Sequence, residues 1–150
     1  MSKEEFLIHL DSYFRIENLG SFFYAPTKKH HFSMYLDGDY YKLYLRKDTF
    51  EIMNALDDLD AYILFKTVLE PVLQIKDLSH DNQITYLPEA HGIHQLKTEV
   101  DKGRFELGFG LFPVTVEQLK AVADAQLAMP PKSTYIQPKL RSGLTIYELR

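Results

Sequence analysis

Between positions 129 and 144 the chain reads MPPKSTYIQPKLRSGL. Lys132, Lys139 and Arg141 supply positive charge there, Ser133, Thr134 and Ser142 supply hydroxyls, and the stretch contains no acid. Charge-assisted N–H donors beside hydroxyls suit the recognition of a phosphate or carboxylate. Pro130, Pro131 and Pro138 fix φ and disfavour helix, so the segment is predicted to be a stiff, extended strap. Side chains carried on such a strap lose little freedom on binding. An extended chain repeats its side-chain direction every second residue, which puts Lys139 and Arg141 on one side. Serine and threonine also close turns, and proline also ends helices. The same residues therefore fit a strap that only packs against a neighbouring domain.

The remaining reactive residue types organise less well. His30, His31, His80, His91 and His94 raise the question of a metal. His91 and His94 stand three apart, but H-E-x-x-H is absent and no nearby pair of acids completes a site, so no metal site is predicted. Asp57, Asp58 and Asp60 could hold magnesium. They also stand where a helix N-terminus favours negative charge, and that reading is preferred. Gly108-Phe109-Gly110 gives G-x-G inside a predicted strand, without the third glycine of a dinucleotide-binding loop; glycine there lets a helix pack closely. The phosphate loop G-x-x-x-x-G-K-[ST] and the nucleophile elbow G-x-S-x-G are absent, and no cofactor motif is identified. Tyr35, Tyr40, Tyr41 and Tyr44 could stack bases, but the RNA-recognition signature is missing and tyrosine packs well in strands.

The elements that must position these residues can be read in order. Ser2 and Glu5 form an S-x-x-E capping box, and Phe6, Leu7, Leu10, Tyr13 and Phe14 follow at helical spacing, predicting a helix over 3–14. A short strand, FRIENL, comes next. Two alternating strands, 32–36 and 40–46, flank Asp37-Gly38, the pair that supplies positive φ for a tight hairpin turn. A helix starts at Asp57 or Asp58 and stops before Pro71. ITYL at 84–87 is a predicted strand, 93–103 a helix capped by Gly103, and 105–112 a strand. Thr115 and Gln118 make a second capping box, opening a helix, and GLTIYEL ends the chain as a strand. This order predicts one α+β domain over 1–150. Its mixed sheet contains an antiparallel hairpin (about 32–46) and a strand–helix–strand unit (about 84–112), with helices packed on the sheet.

Composition narrows the function classes. The chain has 150 residues, 45% hydrophobic and 25% charged, which is enough for one core without metal or disulfide support. Cysteine is absent, which removes thiol chemistry and fits a reducing compartment. No apolar run reaches the roughly 20 residues of a membrane span, and the start lacks a basic n-region, so a cytoplasmic protein with no membrane partner is expected. A net charge of −4 opposes general nucleic-acid binding. Assembly of identical copies is compatible with the sequence.

At PVTVEQLKAVADAQLAMPPKSTYIQPKLRSGLTIYEL the chain closely resembles the C-terminal signature of a prokaryotic family, the domain of unknown function 1015. KHHFSMYLDGDYYKLYL resembles that family's hairpin and TVLEPVLQI its L-E-P-I-L-G-I motif. The matching positions are His30, Asp37, Glu70, Lys132, Ser133, Lys139, Arg141 and Ser142, which brings His30 into the expected anion-binding set. The resemblance implies the C-terminal part of a longer protein, with the N-terminal half as its partner, and a family whose activity is unassigned. Some members are likened to ParB-type proteins, a fold-level analogy only. Where the family has V-G-G-x-R-G, this chain has Leu87-Pro88-Glu89-Ala90-His91-Gly92, and Glu89 would repel an anion cradled there. Three expectations follow: a small-molecule anion or phosphate site at the junction with the N-terminal half; alternatively a non-catalytic docking domain; and, third, a nucleic-acid-associated protein. No turnover is expected of this chain alone.

Overall fold

The computed structural model describes residues 1–87 and 92–134. Helix α1 (Lys3–Asp11) starts at the expected capping box: the Glu5 N–H donates to Ser2 Oγ at 3.1 Å, and the Ser2 N–H donates to the Glu5 carboxylate at 2.7 Å. Strand β1 (Phe14–Gly20) follows after a turn at Ser12 and Tyr13, so Phe14 ends the apolar spacing as a strand residue. The hairpin is β2 (His31–Leu36) and β3 (Asp39–Leu45), turning through Asp37 and Gly38 at φ of 51° and 86°. These positive values are what the sequence pair is suited to supply.

Helix α2 (Asp60–Leu64) begins at Asp60 rather than at Asp57 or Asp58. Asp57 is used one turn earlier, where its carboxylate accepts from the Met53 and Asn54 N–H groups. The helix widens into a π-helical turn over Phe65–Leu69, where Thr67 donates back to the Ile63 carbonyl at 2.7 Å, and ends before Pro71. Helix α3 (Gly92–Asp101) precedes Gly103, at φ 70°. Strand β4 (Leu107–Leu111) and helix α4 (Val116–Asp124) complete the described elements, α4 opening at the Thr115–Gln118 capping box.

The fold is α+β, but the described sheet is antiparallel throughout, in the order β1-β3-β2-β4, and not mixed. The expected strand at 84–87 does not form, so among the described residues no strand–helix–strand crossover exists around α3. That segment is held by side chains instead: Ile84 packs against the core, and the Tyr86 hydroxyl donates to the Leu78 carbonyl at 2.9 Å. Strand β4 therefore lies antiparallel to β2, with Met34 opposite Phe109. The predicted strand GLTIYEL and the loop positions 88–91 lie outside the described residues. On β1 the pairing shifts between Asn18 and Gly20, a bulge closed by Asn18 Oδ1 accepting from the Gly20 N–H.

One sheet face carries Phe14, Phe32, Met34, Tyr41 and Leu43 onto Phe6 and Leu10 of α1 and Ile63, Leu64 and Val68 of the α2 segment. Phe14 and Phe32 meet edge to face, 5.3 Å between centroids. The opposite face is covered beneath α3, so β2 is buried at four successive positions, Phe32 to Tyr35. Gly108 makes this covering feasible: a Cβ there would lie 2.5 Å from Leu96 Cγ. The close helix approach read from the G-x-G is thus realised at Gly108. Tyr35 and α3 are joined by polar contacts as well. The Tyr35 hydroxyl donates to Asp101 at 2.6 Å and accepts from Lys97 at 2.7 Å. Among the described residues, no helix is long and apolar enough to cross a membrane.

Candidate functional site

The predicted anion-binding residues that lie within the described chain fall in two places. Lys132 stands in a tight turn with φ 56°, in the left-handed region that a lysine adopts only when the surroundings hold it there. The Pro130 carbonyl closes the turn, accepting the Ser133 N–H at 3.3 Å and the Ser133 hydroxyl at 2.5 Å. Ser133 is therefore already hydrogen-bonded to its own segment, while Lys132 and Thr134 are exposed. Lys132 borders a half-open cavity of about 330 Å³ with Ser79, Asp81, Thr85 and Tyr86 around it. Among the described residues, Ser79, Thr85, Tyr86 and Lys132 line one concavity with Ile84 in its apolar part, and the Tyr86 hydroxyl there already donates to the Leu78 carbonyl. Among the described residues Asp81 brings the one carboxylate, and it accepts the Gln83 N–H at 2.9 Å. Lys139, Arg141 and Ser142 lie outside the described residues.

His30 belongs to a different cluster, built where the hairpin entrance meets the starts of α2 and α4. Its ring Nε2 lies 3.0 Å from Asp58 Oδ1, an ion-pair distance, though the two are not aligned as a hydrogen bond. Its N–H donates to Asp60 Oδ1 at 2.8 Å, and its backbone is left-handed, at φ 65°. Lys29 donates to both oxygens of Asp58, at 3.0 and 2.8 Å. From α4, the Gln118 amide reaches the Asp58 carbonyl at 3.0 Å while its other end closes the capping box.

The two acids respond differently to this setting. Burial pushes the Asp58 carboxyl up, but the Lys29 ammonium, the Gln118 amide and the His30 ring together hold it below the usual range. Asp60 is 5% exposed. Burial raises its carboxyl to about 6, and the His30 N–H and nearby positive charge pull the other way without prevailing. Asp60 Oδ2 has no hydrogen-bond partner among the described residues.

As a sequence, Asp57, Asp58 and Asp60 look alike as helix-terminus charges, yet Asp57 and Asp60 are both buried, and Asp60 is the one with an unpartnered carboxylate oxygen among the described residues. The signal lay in the spacing. Asp60 is three and four residues ahead of Ile63 and Leu64, on the stripe that faces the core. Lys29 and Gln118 were missed because their roles come from contacts distant in sequence. Among the described residues, no group of three or more metal-ligating side chains is arranged to hold an ion.

Residues 1–62 match a family model described as "Protein of unknown function (DUF1015)". The match supports membership of that family. It spans α1, the β1–β3 sheet and the start of α2, and so includes His30, Asp58 and Asp60 but not Lys132. Nothing matches the chain among curated proteins or among solved structures.

Proposed function

We propose that this uncharacterised domain contributes a small-molecule anion site, for a phosphate or carboxylate group, where it meets the N-terminal half of a longer protein. The observation that carries the reading is Lys132, held in a left-handed turn at the rim of a cavity also lined by Ser79 and Thr85. The mechanism is electrostatic. Lys132 neutralises the anion, the Ser79 and Thr85 hydroxyls orient it, and Lys139 and Arg141 of the same strap add charge. The Asp81 carboxylate in the same cavity favours a singly charged ligand over a doubly charged one.

Titration calorimetry with inorganic phosphate tests this. Lys132→Ala should weaken binding by about 1.5–3 kcal/mol, the worth of one charge-assisted hydrogen bond. Arg141→Ala should do the same if the strap acts as a unit. Absence of phosphate binding, or a Lys132→Ala variant that binds like the parent, would overturn the reading. A docking role is the second reading. It is favoured by α4, which buries Val122 yet turns Val116, 76% exposed, and Leu119 outward.

A further inference from the structure

We propose that the Asp60 carboxyl and the His30 backbone form a proton-operated latch, joining the entrance of the β2–β3 hairpin to the start of α2. Closed, the latch is the 2.8 Å hydrogen bond from the His30 N–H to Asp60 Oδ1. Two features oppose closure when Asp60 is ionised. The carboxylate is 5% exposed with Oδ2 unpartnered among the described residues, so its charge lacks the solvation or second set of donors that a buried ion requires. His30 is also held at φ 65°, a conformation that a non-glycine residue leaves when released. Opening returns Asp60 to water and lets His30 relax. Protonation removes the charge, and with it the main force for opening.

Among the described residues, the charged groups around Asp60 come from two segments. Lys29 and His30 precede β2, and Asp58 precedes α2; α4 adds only the uncharged Gln118 amide. Lys29 is committed to Asp58, and the His30 ring lies against the same carboxylate. Neither therefore serves as a counter-ion dedicated to Asp60. The raised value of the Asp60 carboxyl, about 6 against an ordinary 3.8, agrees with this geometry. The folded chain then holds a proton that the unfolded chain has released. Stability from this group is complete below the unfolded value and is lost as pH rises through the folded one. The Lys29–Asp58 pair does not require the Asp60 proton, so the two segments stay tethered when the latch opens.

Urea unfolding of the parent and of Asp60→Asn, at about pH 5 and about pH 7.5, tests the latch. The parent's folding constant, divided by the variant's, should fall about tenfold between the two conditions. His31, whose ring burial lowers its pKa, titrates in both proteins and cancels in the ratio. Hydrogen exchange of the His30 amide in the parent gives a second readout, independent of the variant's folding. Its protection factor should fall by a similar amount over the same interval. A ratio that does not change with pH, or a protection factor that does not, overturns the proposal.

Discussion

Placing a methyl group on Gly108 should drive α3 off the sheet. The added Cβ would stand 2.5 Å from both Cγ and Cδ2 of Leu96 and 2.8 Å from Cδ1. Rotation about the outer bond of Leu96 gives no relief, because Cγ itself is in the way. Either Leu96 changes its first torsion or the helix moves. Overpacking of this kind costs about 1–3 kcal/mol. Against it stands a gain of about 0.5–1 kcal/mol from replacing glycine by alanine in a strand. Gly108→Ala should therefore destabilise by about 1–2 kcal/mol. The cause is separable with Leu96→Ala, which removes every atom in the clash. In that background the cost of Gly108→Ala should vanish or reverse, a coupling of about 1–3 kcal/mol. Urea unfolding followed by circular dichroism measures all four proteins of the cycle; the chain has no tryptophan to report by fluorescence. An unchanged urea midpoint for Gly108→Ala would refute the reasoning. So would an equal cost in both backgrounds, because Leu96 would then not be what the glycine accommodates.

Other perturbations have similarly direct outcomes. Thr115→Ala removes the cap acceptor of α4, where the Gln118 N–H donates at 3.2 Å, and should cost about 1 kcal/mol in a urea titration. Gly38→Ala meets open space but must keep φ at 86°; it should lower stability by about 1 kcal/mol, with strain and not crowding as the cause. Phe32→Ala, at 0% exposure against Phe14, should cost about 3–5 kcal/mol. Tyr35→Phe takes away the hydroxyl between Lys97 and Asp101 while preserving the ring under the ammonium, 4.8 Å from its centroid. A loss of about 1 kcal/mol is expected, and a loss as large as that of Phe32→Ala would mean the hydroxyl matters more than the ring.

What could be read in advance was local. Asp37-Gly38 fixes its turn through backbone preference alone, and Ser2 with Glu5, or Thr115 with Gln118, satisfies helix N–H groups within four residues. Gly108 also belongs with these, because a strand glycine without a phosphate-loop pattern around it leaves close packing as its use. Sheet order was harder to read. The pairing of Met34 with Phe109 joins residues with no shared local signal, and the run 84–87 resembled a strand although Ile84 packs against the core from an irregular segment. At the Lys132 turn, Pro130 and Pro131 suggested an extended chain throughout. The left-handed Lys132 and the Ser133–Pro130 contact bend it at once. Of the three positive charges of the strap, Lys132 lies within the described residues and Lys139 and Arg141 lie outside them. Asp60 does stand in the first turn of its helix, as expected, but its burial was not legible: a carboxylate is ordinarily cheapest at a helix start in water, and here the helix start is inside the protein.

The bulge between Asn18 and Gly20 has a consequence for behaviour at high concentration. In the described sheet β1 is an outer strand, and a regular outer strand offers its unpaired backbone groups to any extended chain that drifts past. Here a visiting strand would lose register after Asn18, because Asn18 Oδ1 already occupies the Gly20 N–H. Before that break it would have to lie alongside Arg15 and Glu17, opposite charges two residues apart. Stacking of copies through this side would stop after a few rungs, so the bulge works as a terminator against fibre growth as well as a local distortion of pairing.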